Sequence, residues 1–256
     1  TNEKIFRKSG PRIYQTNKKK IKKMKVVILA GGKGTRISEY TKIMPKPMIK
    51  VCGKPIIHRI IDHYIKYGHR EFIIALGYKG NLIKKYFTKN KFSKKIKIKL
   101  IETGLETMTG GRLKRLKKYL DDNFLMTYGD GLSNVSLSKL INFHKLKKKL
   151  FTLTAVRPPA RFGVIKIQNS FVKVFREKNS LDEGWINGGF FVVEPKFLKY
   201  IKNDKTYLER EPFERITKNK QFVAFKHKGF WQCMDTQRDK ETLERKIRNK
   251  EHLEKK

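Results

Sequence analysis

Hydrophobic positions in this chain form short apolar runs that alternate with amphipathic segments. Residues 26–30 are aliphatic and end in Ala, which predicts a strand that is buried on both faces. Apolar residues follow Pro55 at helical spacing, and Gly68 lies just beyond them, so we predict a helix that opens at Pro55. The same reasoning predicts further strands at 72–76, 96–101, Phe124–Tyr128 and 151–155. It predicts further helices at 81–87, 112–120 and 137–148.

The order of these elements, strand then helix in repeated succession, indicates an α/β fold with a mostly parallel sheet flanked by helices. The pattern changes after residue 157, where strand signals and turn residues dominate. The elements predicted there are a hairpin of 162–167 with 171–175, a strand at Ile186–Val193, a helix at Glu211–Lys218 and a strand at 223–227.

We therefore expect one domain over 24–256, with a first half at 24–156, a smaller β-rich half at 157–235 and a C-terminal helix at 236–256. Residues 1–23 are rich in Lys, Arg and Asn and lack periodicity. We predict that they are a disordered leader, or sequence upstream of a natural start at Met24.

The chain has 62 Lys and Arg against 23 Asp and Glu, a formal net charge of +39. Such a charge is compatible with nucleic-acid binding. Residues 1–23 carry only +8, however, and the remaining +31 is spread over nearly every predicted helix. This distribution indicates a general lysine bias of the solvated faces, and we do not expect nucleic acid to be the partner.

Cysteine usage and hydropathy indicate the setting of the protein. Cys52 and Cys233 are isolated and form neither a metal-binding quartet nor a Cys-x-x-Cys pair, which favours a reduced, cytoplasmic location. No apolar run approaches the roughly 20 residues that a membrane-spanning helix needs. The basic N-terminal residues lack the apolar core of a signal peptide.

The first predicted strand runs directly into Gly31, Gly32 and Gly34. Without Cβ atoms, these residues allow a ligand to approach the backbone, and exposed N–H groups in such a loop form an anion-binding concavity. Arg36 and Lys46 bring positive charge to the same place. We interpret the loop as a nucleoside triphosphate site, although an ordinary strand-to-helix turn explains the glycines equally well.

Two familiar phosphate-binding motifs do not match this loop. A Walker A motif requires Ser or Thr after the Lys, but Lys33 is followed by Gly34. A dinucleotide fingerprint requires a third glycine where Ile37 stands.

Two other loops are expected at the carboxyl ends of the parallel strands, where ligands bind in such sheets. One is 109–111, which leads into a helix, and the other contains Asp130 between two glycines. A carboxylate at that position suits a Mg²⁺ ion that also binds phosphates, but Asp-Gly turns are common. Asp235 is either a second metal ligand or the N-cap of the last helix, and the sequence leaves both open.

The β-rich half contains polar residues beside glycines. Glu177, Lys178 and Asn187 offer both hydrogen-bond donors and acceptors next to Gly188, which suits a polyhydroxy ligand such as a sugar. Turn residues in an antiparallel layer are the alternative interpretation.

Taken together, several motifs resemble the sugar nucleotidyltransferase family. The signature is Leu29-Ala30-Gly31-Gly32-Lys33-Gly34-Thr35-Arg36 with Pro45-Lys46-Pro47-Met48. Within this family, the chain is similar to the branch that uses CTP and glucose 1-phosphate, through motifs spread from Met24 to about Lys246. Those motifs are Thr35-Arg36-Ile37-Ser38-Glu39, Met108-Thr109-Gly110-Gly111-Arg112-Leu113-Lys114-Arg115, Thr127-Tyr128-Gly129-Asp130-Gly131, Arg161-Phe162-Gly163, Ile186-Asn187-Gly188-Gly189-Phe190-Phe191 and Gly229-Phe230-Trp231-Gln232-Cys233-Met234-Asp235-Thr236.

The resemblance implies a Rossmann-like nucleotide-diphospho-sugar transferase fold. It implies transfer from CTP to α-D-glucose 1-phosphate, giving CDP-glucose and pyrophosphate, with Mg²⁺ as cofactor. It also implies that the protein forms a homo-oligomer. The product of such enzymes is used as a nucleotide sugar in polysaccharide biosynthesis. Two alternatives stay open: a uridylyl- or thymidylyltransferase acting on another sugar 1-phosphate, and a basic nucleic-acid-binding relative without catalytic activity.

The resemblance assigns roles residue by residue. Catalysis would fall to Arg36, Lys46 and Asp130, and metal binding to Asp130 and Asp235. The residues implied to bind the nucleotide are Leu29, Ala30, Gly31, Gly32, Gly34, Thr35, Arg36, Lys46, Thr109, Gly110, Gly111 and Gly129. Those implied to bind the sugar phosphate are Tyr128, Arg161, Gly163, Glu177, Lys178, Asn187 and Gly188.

The chain departs from the usual family pattern in two places. Asn179 stands where the family usually has Pro after Glu-Lys. The family usually has a longer segment between the helix that ends near Phe87 and the strand that ends near Thr103, and here only residues 88–95 remain of it. In the family, such a segment would support subunit contacts or cover the sugar.

Overall fold

The computed structural model of this chain describes residues 23–158, 164–176 and 184–250. The strands, in chain order, are β1 (Val26–Leu29), β2 (Lys50–Val51), β3 (Lys54–Pro55), β4 (Glu71–Leu76), β5 (Lys97–Glu102), β6 (Phe124–Tyr128), β7 (Gly131–Ser133), β8 (Phe151–Val156), β9 (Val164–Gln168), β10 (Phe171–Arg176), β11 (Ile186–Val193), β12 (Phe222–Lys226) and β13 (Trp231–Cys233). The helices are α1 (Ser38–Thr41), α2 (Ile56–Lys66), α3 (Gly80–Lys89), α4 (Thr109–Arg115), α5 (Leu137–Lys147), α6 (Glu211–Lys218) and α7 (Gln237–Arg248). The predicted leader, except Lys23, and Phe162 of the predicted hairpin lie outside the described residues.

A seven-stranded sheet in the order β12-β8-β11-β6-β1-β4-β5 forms the centre of the fold. Strand β1 pairs in parallel with β4 and β6, and β11 is antiparallel to both of its neighbours. The predicted α/β fold with a mostly parallel sheet is confirmed. Strands β11 and β12, from the part predicted as the β-rich half, pair within this same sheet.

Strand β1 is buried on both faces, as predicted. Val26 and Ile28 belong to one hydrophobic cluster, together with Ile57 from α2. Val27 and Leu29 belong to the cluster on the opposite face. Because all four side chains are removed from water, the strand holds the loop that follows it at a fixed position in the fold.

The register of the sheet determines where the loops emerge. Leu29, the last residue of β1, lies opposite Ala75 of β4 and Tyr128 of β6. The carboxyl ends of these parallel strands therefore meet at one edge of the sheet, where a ligand site is expected.

Two helix predictions were wrong at their boundaries. Helix α2 begins at Ile56, because Pro55 is still extended and pairs with Lys50 in β3. The helix predicted at 112–120 begins earlier, at Thr109, and changes to a 3₁₀ turn at Lys117–Tyr119. Glycines at 110 and 111 disfavour helix locally, but the fold overrides this tendency because their N–H groups donate to Thr206 O.

None of the helices in the described ranges is long and apolar enough to cross a membrane.

Candidate active site

The loop after β1 presents backbone N–H groups to solvent. Gly32 and Lys33 are exposed, and within the described part of the chain the N–H groups of Gly32, Lys33 and Gly34 have no hydrogen-bond partner in the protein. Gly34 has a φ of 65°, and a Cβ built there would lie 2.9 Å from Thr41 Cγ2 and 3.2 Å from Lys46 Cβ. The position therefore favours glycine, and the loop leaves several N–H groups free to bind an anion.

Lys46 bridges two carboxylates that are distant in sequence. Its Nζ lies 2.7 Å from Asp130 Oδ2 and 2.6 Å from Asp235 Oδ1. Arg36 Nη1 lies 2.7 Å from Asp235 Oδ2. The structure thus brings together the two acids and two cations that the sequence singled out.

The pairing of two short strands explains why the acids meet. Strand β13 is antiparallel to β7, with Cys233 opposite Gly131. Just beyond this pair, Met234 N donates to Asp130 O at 2.9 Å, so Asp130 and Asp235 emerge side by side.

Asp235 is not the N-cap of the last helix. The Thr236 side chain accepts from Asp239 N at 3.2 Å, and Asp239 Oδ2 accepts from Thr236 N at 3.0 Å, so Thr236 and Asp239 form a capping box. The carboxylate of Asp235 is therefore available to the site.

Lys46 and Asp235 each stabilise the charged form of the other. Burial disfavours the charged ammonium of Lys46 and by itself lowers its pKa. The attraction and hydrogen bonds of Asp130 and Asp235 outweigh this effect, so the pKa of Lys46 is raised above its ordinary value. Burial likewise opposes ionisation of Asp235, but Lys46 and Arg36 lower its pKa on balance. Burial and the neighbouring Asp235 raise the pKa of Cys233 to about 12, so its thiol stays neutral.

A cavity of about 230 Å³ adjoins the ion cluster. Tyr128, Asn187 and Gly188 line it together with Trp231. Trp231 Nε1 donates to Gly188 O at 2.8 Å, and Gly189 N donates to Asn187 Oδ1 at 2.9 Å. Aromatic surface combined with a few oriented polar groups is typical of a small-molecule site.

Gly129 packs closely against the end of β1 and against Pro47. A Cβ at Gly129 would lie 3.0 Å from Pro47 Cγ and 3.1 Å from Leu29 O. Leu29 and Ala30 are themselves buried under the loop, while Thr35 is exposed beside it.

The predicted nucleotide loop at 109–111 contacts another part of the chain. Gly110 N and Gly111 N donate to Thr206 O at 2.9 Å and 3.2 Å. Thr109 Oγ1 accepts from Leu208 N at 2.9 Å and donates to Glu209 Oε2 at 2.8 Å. The nucleotide-binding role of these three residues stays a prediction, and the N–H groups of both glycines already have partners.

Arg112 has a structural role that the sequence did not reveal. Its buried guanidinium donates to Gly31 O at 2.9 Å and to Leu76 O at 3.0 Å. It also donates to Thr103 Oγ1 at 2.8 Å and to Gly104 O at 2.6 Å. Arg112 therefore ties the loop after β1 to the ends of β4 and β5. Nothing in the sequence of α4 marks this arginine as buried, since Lys114 and Arg115 follow it closely.

Replacing Arg112 by Met is expected to destabilise the protein by about 3 kcal/mol, because it removes the hydrogen bonds of a buried guanidinium to Gly31 O, Leu76 O and Gly104 O. Arg115→Met is the matched control, since it removes only an exposed ion pair with Asp204, which solvent screens. Urea denaturation of both variants measures the two losses. Equal losses would show that Arg112 does not anchor the loop.

The predicted sugar-phosphate residues Arg161, Gly163, Glu177 and Lys178 lie outside the described residues. Their roles stay predictions.

With this geometry established, similarity to known proteins identifies the class of the molecule. The model of the nucleotidyl transferase family matches residues 25–249. The chain belongs to this family and is an enzyme, a nucleotidyltransferase.

Individual relatives are more specific. The chain is 45% identical over 243 residues to a glucose-1-phosphate cytidylyltransferase of Salmonella typhi, covering 86% of this chain and 95% of the relative. It is 44% identical, with the same coverage, to the protein of that name from Salmonella typhimurium. Among solved structures, HddC from Yersinia pseudotuberculosis matches with a TM-score of 0.70 and 26% identity, over 88% of this chain and 99% of that one.

Proposed function

We propose that this protein transfers a cytidylyl group from CTP to α-D-glucose 1-phosphate, giving CDP-glucose and pyrophosphate. The observation that carries the proposal is Lys46 held between Asp130 and Asp235, beside a loop with free N–H groups and a small cavity lined by aromatic and polar groups. The names of the Salmonella relatives support the choice of CTP and glucose 1-phosphate.

The residues present fit a divalent cation. Asp130 and Asp235 converge on one cation, the Lys46 ammonium, so they could converge on a metal ion as well. No group of three or more potential His, Cys, Asp or Glu ligands occurs in the described ranges. Two carboxylates completed by phosphate oxygens are the ligand set typical of Mg²⁺. When bound, Mg²⁺ would offset negative charge on the reacting phosphates.

The protein side chains supply positioning and charge. The N–H groups of the loop after β1 would bind the triphosphate, and Lys46 and Arg36 would offset the charge that develops around the α-phosphorus. Asn187 and Tyr128 would bind the sugar in the adjoining cavity. Binding both substrates in line is expected to provide most of the rate enhancement, since such transfers need little covalent chemistry.

In the transfer itself, a phosphate oxygen of glucose 1-phosphate attacks the α-phosphorus of CTP. A new P–O bond forms, the bond from the α-phosphorus to the bridging oxygen breaks, and pyrophosphate leaves with that electron pair. The attacking phosphate is largely ionised near neutral pH, so no side chain is needed to remove a proton.

A substrate panel tests the proposal. We expect pyrophosphate release with CTP and glucose 1-phosphate to exceed that with UTP, dTTP, ATP or GTP by at least about tenfold in kcat/KM. The measurement uses a coupled phosphate assay and chromatographic identification of CDP-glucose. Faster turnover with UTP or dTTP would establish the uridylyl- or thymidylyltransferase alternative.

A nucleic-acid-binding relative without activity would instead bind RNA with steep salt dependence and release no pyrophosphate. The cytoplasmic location and the homo-oligomer remain predictions. Gel filtration with light scattering tests the oligomer.

A further inference from the structure

The carboxylate of Glu209 lies between the cavity and the first turn of α4. Glu209 belongs to the loop that precedes α6, and its side chain accepts hydrogen bonds from the Tyr128 hydroxyl and from Thr109 Oγ1. The second of these bonds measures 2.8 Å. Thr109 is in turn fixed by Leu208 N, which donates to its hydroxyl at 2.9 Å. Glu209 is thus anchored on one side and contacts the cavity wall on the other.

The hydrogen bonds around Glu209 have a defined direction. The Tyr128 hydroxyl donates its hydrogen to Glu209 Oε1, since a carboxylate oxygen accepts. The Tyr128 oxygen then accepts from Asn187 Nδ2 at 3.5 Å. The orientation of this amide is set on its other side, where Asn187 Oδ1 accepts from Gly189 N at 2.9 Å.

This arrangement determines what the cavity offers to a ligand. Because the Tyr128 hydrogen is donated to Glu209, Tyr128 presents only acceptor capacity to the cavity, and Asn187 presents its second amide hydrogen. Sugar hydroxyls both donate and accept, so a fixed pattern of one acceptor and one donor can orient them. Without Glu209, the hydroxyl of Tyr128 could rotate and reverse this pattern.

We propose that Glu209 is a positioning residue for the sugar phosphate, acting through Tyr128 and Asn187. The substrate named here rests on the proposed function. Neither the sequence motifs nor the resemblance assigned any role to this residue.

The experiment measures binding of radiolabelled glucose 1-phosphate by equilibrium dialysis, without turnover. We expect Glu209→Ala to weaken binding about fivefold to twentyfold, as for the loss of one charge-assisted hydrogen bond in a site. Tyr128→Phe should weaken it to a similar extent. Both substitutions remove the same contact. The double variant should therefore bind glucose 1-phosphate at most about twofold more weakly than the single variant with the lower affinity.

Steady-state kinetics provides a second measurement. Glu209→Gln keeps one acceptor oxygen and should raise KM for glucose 1-phosphate by about threefold to fivefold, with KM for CTP changed less than about twofold. Glu211→Gln is the matched control, because Glu211 lies two residues further on, pairs with Lys202 at 2.7 Å and does not contact Tyr128. It should leave both KM values unchanged.

The outcomes separate this inference from the proposed function. Additive losses in the Glu209 and Tyr128 variants, or unchanged sugar-phosphate affinity in Glu209→Ala, would overturn the role of Glu209. A wild-type protein that binds glucose 1-phosphate but forms no CDP-glucose would overturn the proposed function and leave the binding comparison valid. A wild-type protein that does not bind the sugar phosphate would overturn both.

Discussion

Replacing Lys46 by Met is expected to lower kcat by about three orders of magnitude at saturating substrates. The side chain is almost fully buried, with 9% of its surface exposed, so its charge acts in a poorly screened environment. Met has a similar length and fills the same space without the ammonium. The variant should therefore keep the fold and lose the charge that offsets the growing negative charge at the α-phosphorus.

The same variant is expected to bind Mg²⁺ or Mn²⁺ more tightly than the wild type. Lys46 shares the oxygens of Asp130 and Asp235, so a metal ion must compete with its ammonium for them. Manganese binding followed by electron paramagnetic resonance tests this directly. The matched control is Lys50→Met, since Lys50 is exposed on β2. Near-normal turnover in Lys46→Met would remove Lys46 from the catalytic residues.

That the loop after β1, Asp130 and Asp235 meet at one site could be predicted from the sequence only in part. Buried parallel strands carry strong apolar signals, and their carboxyl ends must meet, so the loop after β1 and Asp130 were expected at one edge of the sheet. The contact between Asp130 and Asp235 depends on the pairing of β7 with β13. Each strand has only three residues, too few to show a periodicity.

One ambiguity could have been resolved without a structure. Thr236 and Asp239 have the spacing of a capping box, a signal that places the N-cap at Thr236 and leaves Asp235 outside the helix. Other features could not be anticipated. The hydrogen bond between Tyr128 and Glu209 joins residues 81 positions apart, and an exposed loop glutamate has no local pattern that marks it.

The start of α4 illustrates how tertiary contacts override local preference. Two consecutive glycines disfavour a helix by about 1 kcal/mol each relative to Ala, so the predicted helix began after them. In the structure, a Cβ at Gly110 would lie 2.7 Å from Thr206 O. The glycines therefore allow the first turn of α4 to pack against the 203–208 loop, and this packing is invisible to propensity.

Asp235→Asn and Asp130→Asn are each expected to lower kcat by at least about a hundredfold and to raise the Mg²⁺ concentration needed for half-maximal rate. An amide oxygen is a much weaker ligand for Mg²⁺ than a carboxylate, and each replacement removes half of the available charge. A magnesium titration of initial rates, at fixed saturating CTP and glucose 1-phosphate, measures both quantities. The double variant should retain no metal-dependent turnover above background.

Asp62→Asn is the control for these variants, because Asp62 pairs with Lys54 at 3.0 Å on α2 and its side chain is 44% exposed. It should leave both the rate and the magnesium requirement unchanged. Asp235 also pairs with Arg36 and Lys46, so its loss could act by misplacing these cations alone. In that case Asp235→Asn would raise KM for CTP and leave the magnesium requirement at the wild-type value. A parallel rise in magnesium requirement for both variants is expected only if the two carboxylates hold the same ion.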